Sequence, residues 1–582
     1  MTEYAIPQHD ARPERATGLA VARSSYAYNH DYGFPVAVSA VDANPPGGDW
    51  RLKALATQEK VRLNLLALKR RGYWNFVQEL EPLAPLKLAK LIHDRDVAAL
   101  VDFFMPLPGG MKSRAAPVTL DAYRALFALA ELPAVADRFE TDDYFAELVV
   151  AGPDPTRLAR LDAVPAKFPL TSAQLASVPE LAGEDLATAV AAGRVYWLDY
   201  ALMAALENGR HPQVPKYMYA PMVALAVPRG GGALRPFAIQ CGQQPEGRQI
   251  YTPRDGYSWK IAKNCVLAAY NTCHEVLAHL GFTHLLGEAV LLSTVRNLAA
   301  THPVAVLLRR HFEGTQAINK LAVELLIQPG RAVEYLIGSE LKSTWAWLAE
   351  QRCKFSFRDN YLPRRLAAAG TDGVARLVHY PYRDDGLLVW NAIAEWVAEL
   401  VTAYYSSDAE LRGDGELQRW AGELAAPDAG RIHDFGATPG QLETRQDLIE
   451  ILTMIIWTAG PQHAAVNFAQ KDHQAFLPAN PLAGYTEEPR GTGHTEADWL
   501  ANLPPPDVAV QQFCIMTFLG SNRYGALGDY GNDFKSSKLA SAHDRFRTAL
   551  LAIEREIVQR NQRRVQPYQY LRPSLIPNST NV

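Results

Sequence analysis

Apolar residues recur near every 3.6 positions over several long stretches, the spacing that gathers them on one helix face. The clearest are 260–300, 315–327, 387–405, 445–470 and 537–560, and each is predicted as a helix. Residues 50–71 carry the same pattern, with Leu52, Leu55, Val61, Leu65 and Leu68 among charges. Arg70-Arg71-Gly72 marks a helix end. Residues 86–104 also read as helical. Strand signals are short. Residues 221–227 and 235–239 flank Gly230-Gly231-Gly232 and predict a hairpin. The expected fold class is mainly α, one large helical domain with a minor β-sheet subdomain.

Organisation follows the same pattern. Residues 1–50 are polar, rich in Pro, Gly and Tyr, and end in Asn44-Pro45-Pro46-Gly47-Gly48, as an arm or linker would. Residues 51–140 read as an N-terminal helical region, and 141–582 as the main body, continuous with it.

Composition changes this picture only by exclusion. Of 582 residues, 48% are hydrophobic and 21% charged, which suits a globular protein with a large core. A net charge of −4 gives no basic face for nucleic acid. The five cysteines form no CxxC pairs, which argues against a disulfide framework and a thiolate zinc site. The first residues lack a signal-peptide core, and no unbroken apolar run reaches the roughly 18–20 residues of a membrane span. Residues 448–459 contain Glu450, are too short to span, and read as a core helix. A cytoplasmic protein that meets membranes only transiently, at their surface, is the expectation.

The histidines change the picture more. Of fifteen, five form an array: His274, His279, His284, His302 and His311. His274-Glu275 begins like HExxH, but that zinc motif needs its second histidine four residues on, and His279 is five away. On a regular α-helix, five residues turn a side chain about 140° away. A local i→i+5 turn brings such residues back together, and turns of this kind frequently mark functional sites. The alternative is that these are core histidines satisfied by carbonyls. Further on, His463 and Asn467 stand at i,i+4 on one face. They either pair with each other or join His279 and His284 to offer three imidazoles and one amide oxygen. The end, Ile576-Pro577-Asn578-Ser579-Thr580-Asn581-Val582, is either a frayed tail or threads inward with its carboxylate. Nitrogen and oxygen donors without sulfur suit iron or manganese better than zinc or copper.

These residues resemble the lipoxygenase family. The array His-x4-His-x4-His-x17-His-x8-His is reproduced, as are Thr301-His302-Pro303-Val304 and the run His463-Ala464-Ala465-Val466-Asn467-Phe468-Ala469-Gln470. Trp259-Lys260-Ile261-Ala262-Lys263, Tyr382-Arg383-Asp384-Asp385-Gly386-Leu387 and Pro577-Asn578-Ser579 are similar too. The likeness starts near Asp142 and covers about three-quarters of the chain. The N-terminal β-sandwich that plant and animal members carry is not expected, as in compact bacterial-type members.

The resemblance implies a linoleate-type lipoxygenase, a non-haem iron dioxygenase adding O2 to free polyunsaturated fatty acids to give hydroperoxides. The implied metal ligands are His279, His284, His463, Asn467 and the carboxylate of Val582, with iron, or else manganese, as the ion. The hydrogen is taken by metal-bound hydroxide, with no side-chain base. His274, Glu275 and Gln470 are implied as supporting polar residues. Ala322 matches a position where alanine accompanies S stereochemistry, and Leu326 a bulky residue shielding the pentadiene. Gly281-Phe282 departs from the family pattern and is expected to reshape the cavity wall; Arg310 replaces a small residue or proline. The competing readings are a hydroperoxide isomerase forming epoxyalcohols, a metal-free lipid-binding relative, and a helical protein with structural histidines.

Overall fold

The computed structural model describes residues 4–10, 12–29, 36–39, 49–70, 119–210, 214–374, 376–535 and 537–581. The helix expected over 86–104 lies outside them, as does Val582. Within the first fifty residues, α1 (Pro13–Ser25) leads into an antiparallel ribbon of β1 (Tyr26–Asn29) and β2 (Val36–Ser39), and α2 follows (Asp49–Arg70). Arg15 ties α1 to the body. Its guanidinium makes a two-pronged pair with Glu416, at 2.5 and 2.9 Å, and reaches Asp10 at 3.0 Å. The Arg15, Asp10 and Glu416 side chains are all buried.

A five-stranded antiparallel sheet runs in the order β3 (Ala159–Arg160), β4 (Val195–Asp199), β5 (Met222–Ala226), β6 (Arg235–Gln240) and β7 (Ile250–Tyr251). The expected hairpin is β5–β6, paired from Met222 opposite Gln240 to Ala226 opposite Arg235. Gly231 and Gly232 make its turn at φ 84° and 115°, backbone that a side chain would strain. Leu161, Phe168, Leu175, Ala224 and Phe237 form a small separate core on this sheet.

The rest is helical. The elements that build the site are α3 (Tyr257–Asn297), α4 (Thr315–Ala322, running on to Ile327) and α5 (Leu341–Lys354). With them stand α6 (Pro381–Tyr404), α7 (Arg445–Trp457, running on to Asn467), α8 (Pro506–Ser521) and α9 (Ala540–Asn561). These match the periodic stretches, with α5 and α8 added. By averaged hydropathy α3 and α6 do reach the length and apolarity of a membrane span, which a search for unbroken runs misses. The α3 window is 89% buried inside the protein, so α3 is its core helix; the α6 window is 50% buried.

The Tyr382–Leu387 motif holds α6 against α7. A Cβ on Gly386 would lie 3.1 Å from the Trp457 ring and 3.2 Å from Leu362, so only glycine allows this approach without a shift. Asp385, fully buried, accepts from Arg564 at 2.6 and 2.9 Å and from Arg560 at 3.1 Å. Tyr382 reaches Gln462 at 2.5 Å, just before His463.

Replacing Arg15 with methionine leaves Glu416 buried without its partner, a loss of about 3 kcal/mol by analogy with broken buried pairs. Hydrogen exchange in Pro13–Ser25 is expected to rise markedly in R15M while exchange in α3 changes little.

Candidate metal centre and substrate cavity

Within α3, residues Cys273–His284 form a π-helix. Its i→i+5 bonding is visible where the Leu285 N–H donates to the Leu280 carbonyl. The Thr283 hydroxyl donates to the His279 carbonyl. This widening gathers the five-spaced histidines, and the Nε2 atoms of His279 and His284 lie 3.2 Å apart. A second π segment, Thr458–Gln462, precedes His463 and contains Pro461, which has no N–H to give an α-helical ladder. His463 Nε2 lies 3.2 Å from His284 Nε2. Donor nitrogens of all three buried rings lie within 4.8 Å of one another.

Partners at Nδ1 fix the bare nitrogen on two of the rings, His284 and His279; His463 Nδ1 has no hydrogen-bond partner. His284 Nδ1–H donates to Asn319 Oδ1 at 2.8 Å, which leaves Nε2 with a lone pair. His279 Nδ1 faces Glu275 Oε2 at 3.6 Å. Burial, then the competition of His279 for a proton, pushes His284 down to about 3. Burial pushes His463 far below its ordinary value, with His284 and His279 adding to it, and also lowers His279 against the pull of Glu275. Neutral rings result. Where two Nδ1–H groups point outward, as on His279 and His284, lone pairs 3.2 Å apart repel unless a cation lies between them. Imidazole nitrogens about 2.1 Å from a shared ion, at angles near 100°, stand about 3.2 Å apart. The three residues therefore fit a metal.

The other histidines of the array have both nitrogens engaged. His302 accepts from the Val304 N–H at 3.1 Å, capping a helix, and donates from Nε2 to Asp414 at 3.0 Å. His311 donates from Nδ1 to the Asn578 carbonyl at 2.7 Å and accepts from the Tyr530 hydroxyl at 2.9 Å. His274 donates from Nε2 to the Val466 carbonyl at 2.8 Å, while its Nδ1 meets Gln474 Nε2 at 3.2 Å. The same Nδ1 is 3.2 Å from Glu275 Oε1, a charge contact without hydrogen-bond geometry, since that oxygen has no hydrogen-bond partner. Burial raises Glu275, but His274 and His279 beside it prevail, and it falls to about 2.

Asn467 lies one turn beyond His463, fully buried. Its Nδ2 donates to the Leu519 carbonyl at 2.9 Å, which fixes the amide. Gln470 donates to Asn467 Oδ1 at 2.9 Å and to its carbonyl at 3.0 Å. The C-terminal segment threads inward. A Cβ on Gly460 would meet the Pro577 carbonyl oxygen at 3.0 Å, and Thr580 Oγ1 lies 2.9 Å from Thr315 Oγ1. Residues 578–581 are buried.

An apolar cavity opens beside the triad. Glu275, His279 and His284 form its polar part; Val276, Leu280, Ile318, Leu321, Trp345 and Leu519 are among its walls. Ala322 and Leu326 line it too, so sequence signals from α3 and α4 converge there. Gln470 does not line it and braces Asn467 instead. Gly281-Phe282 is a correction: neither lines the cavity. A Cβ on Gly281 would sit 2.8 Å from Leu348, and Phe282 stacks on Phe355 at 4.5 Å, so the pair packs α3 against α5 and the residue that follows it.

Two residues escaped sequence reasoning. Asn319 holds His284 and also donates to Glu288 Oε2 at 2.8 Å; both are buried. Asn319 stood in view beside Ala322, and a buried asparagine on an apolar helix was the available signal.

A family model described as Lipoxygenase matches residues 127–567. The chain belongs to the lipoxygenase family. It is 39% identical over 484 residues to a linoleate 9/13-lipoxygenase of Pseudomonas aeruginosa, covering 80% of this chain and 70% of that one. It is 32% identical over 475 residues to human polyunsaturated fatty acid lipoxygenase ALOX15B, covering 80% and 69%. The human hydroperoxide isomerase ALOXE3 is 32% identical over 460 residues, covering 77% and 63%. A solved lipoxygenase in complex with arachidonate matches the whole chain and 84% of its own, with TM-score 0.85 and 27% identity. Coral 8R-lipoxygenase matches with TM-score 0.83, 26% identity, and coverage of 100% and 83%.

This lipoxygenase is accordingly a fatty-acid dioxygenase with a mainly helical fold. Its family depends on non-haem iron, and the histidine triad is where this chain can hold a metal.

Burial pushes His311 down to about 4, against an ordinary value near 6.5. Between those values the unfolded chain binds a proton that the folded protein refuses, so stability present above about 6.5 is lost as pH falls. The loss is roughly 1 kcal/mol per pH unit for this one ring. Urea titrations from about pH 7 to about pH 5 are expected to show a steeper fall for the wild type than for His311→Asn.

Proposed function

We propose that this chain oxygenates free polyunsaturated fatty acids of the linoleic type at one ion, iron rather than manganese. The ligands in this reading are His279, His284, His463, the Asn467 amide oxygen and the Val582 carboxylate. The observation that carries it is the convergence of the Nε2 atoms of His279, His284 and His463 beside an apolar cavity that His279 and His284 line. The family's iron dependence favours iron, and the nitrogen and oxygen donor set is compatible with either ion.

When bound, the metal supplies the one-electron acceptor that lets a weak bis-allylic C–H be broken, which no side-chain base achieves. The protein does the rest by position. Among the described lining residues none is a lysine or arginine, so the cavity holds the acyl tail and leaves the carboxylate elsewhere. Val276, Leu280 and Ile318 exclude water from the reacting methylene. Leu326 shields one side of the pentadiene, and Ala322 leaves oxygen a restricted approach consistent with S stereochemistry. Glu275 faces His279, His274 lies beside Glu275, and Gln470 braces Asn467. A cytoplasmic enzyme that takes its substrate at a membrane surface completes the reading.

The deciding experiment joins elemental analysis with oxygen uptake and conjugated-diene formation on linoleic acid. About one iron per chain with diene formed is the expected result, and His463→Ala is expected to lose both. Manganese with the same activity corrects the ion. Iron-loaded protein that ignores linoleic acid and consumes its hydroperoxide overturns the dioxygenase reading in favour of an isomerase. Ala322→Gly, which removes a methyl from the cavity wall, is expected to raise the R fraction of the product, measured by chiral-phase chromatography.

A further inference from the structure

His284 donates its Nδ1 proton to Asn319 Oδ1 at 2.8 Å. The Asn319 amide nitrogen has both hydrogens engaged, one to Glu288 Oε2 at 2.8 Å and one to the His284 carbonyl at 3.0 Å. Glu288 is 1% exposed and Asn319 3%. By itself an amide is a poor arbiter of a histidine tautomer. Turned by half a revolution it places NH2 where oxygen was, at nearly the same position. His284 Nδ1 would then accept, its proton would pass to Nε2, and the nitrogen facing His279 and His463 would no longer be bare. A carboxylate accepts hydrogen bonds and cannot donate them. Set on the far side of Asn319, and together with the His284 carbonyl, it takes the NH2 edge and turns the oxygen edge toward His284.

We propose that Glu288, acting through Asn319, sets the tautomer of His284 and so prepares its Nε2 as a metal donor. Both are positioning residues, and the inference rests on His284 being a ligand, as proposed above. The ordering extends over one turn of α3 and across to α4: Glu288 lies four residues beyond His284, and Asn319 comes from the facing helix. If Asn319 merely satisfied a buried carboxylate, the direction of the amide would not bear on the metal. If it sets the tautomer, exchanging carboxylate and amide between the two positions restores part of the function. The carboxylate then standing at position 319 still accepts from His284 and from the amide at position 288, although the His284 carbonyl loses its donor.

The test measures ferrous iron affinity of the apo-protein by chelator competition in wild type, Glu288→Gln, Asn319→Asp, the double variant and His284→Ala. The ferric electron paramagnetic resonance spectrum and the apo melting temperature are recorded alongside. Glu288→Gln is expected to weaken iron binding about 10–100-fold, the usual cost of losing a group that orients a ligand, and to alter the ferric spectrum. Asn319→Asp, which sets two carboxylates face to face, is expected to weaken it as well. The double variant is expected to bind iron more tightly than the weaker single variant, a coupling that independent sites do not show. Two results would overturn the relay. One is wild-type affinity and spectrum in Glu288→Gln, even with a lowered melting temperature. The other is a double variant that melts like wild type yet binds iron no better than the weaker single variant. Wild-type affinity in His284→Ala would instead remove the ligand reading on which the relay depends. Loss of iron in His284→Ala with none in Glu288→Gln overturns the relay alone.

Discussion

Everything at the site depends on holding three uncharged imidazoles with their Nε2 atoms turned toward one another. In water those rings would move apart and, below about pH 6.5, take up protons. Here burial keeps them neutral, and the polypeptide resists their separation from three directions. The π-helical stretch of α3 supplies His279 and His284, α7 supplies His463, Asn319 of α4 holds the outer nitrogen of His284, and Glu275 of α3 faces that of His279. A core built this way stores electrostatic repulsion that a cation relieves, so affinity for a metal arises from the arrangement of the apo-protein itself.

The same elements that hold the rings shape the space beside them. One side of α3 presents Val276 and Leu280 to the cavity, while Gly281 and Phe282 turn to α5 and lock the helix in place. A lipoxygenase thus uses a single helix as ligand platform, cavity wall and core. This explains why α3 is apolar enough to pass for a membrane span while lying within a globular body.

What was legible in the sequence was whatever repeats or recurs locally. Amphipathic helices α3, α4, α6, α7 and α9 showed through their spacing, and the β5–β6 hairpin through its glycines. The α8 segment is buried on nearly all sides, with Asp507, Gln511 and Gln512 breaking its apolar spacing, and α5 is polar with scattered tryptophans, so neither gave a clean period. The five-residue histidine spacing announced a widened helix because a regular one could not satisfy it. Partnerships across hundreds of residues left no local trace. Arg15 and Glu416 are separated by 401 positions, and nothing in the polar N-terminal run hints that it is pinned to the body. Asn319 and Glu288 are closer in sequence but become meaningful only when α4 lies across α3. Gly281-Phe282 was placed on the wrong face because the extra residue per turn shifts what each position looks toward.

The widened stretch of α3 also makes the site unusually sensitive to changes in length. A widened turn accommodates one residue more than an α-helical turn, so the loss of a single codon between His279 and His284 would let the helix close into the ordinary form. The two rings would still share a face, at the spacing familiar from zinc enzymes. Everything after the deletion would rotate by about 100° relative to what precedes it. Glu288 would swing away from α4, and the remainder of α3 would leave its seat. Substitutions can drift through this helix one side chain at a time; insertions and deletions cannot.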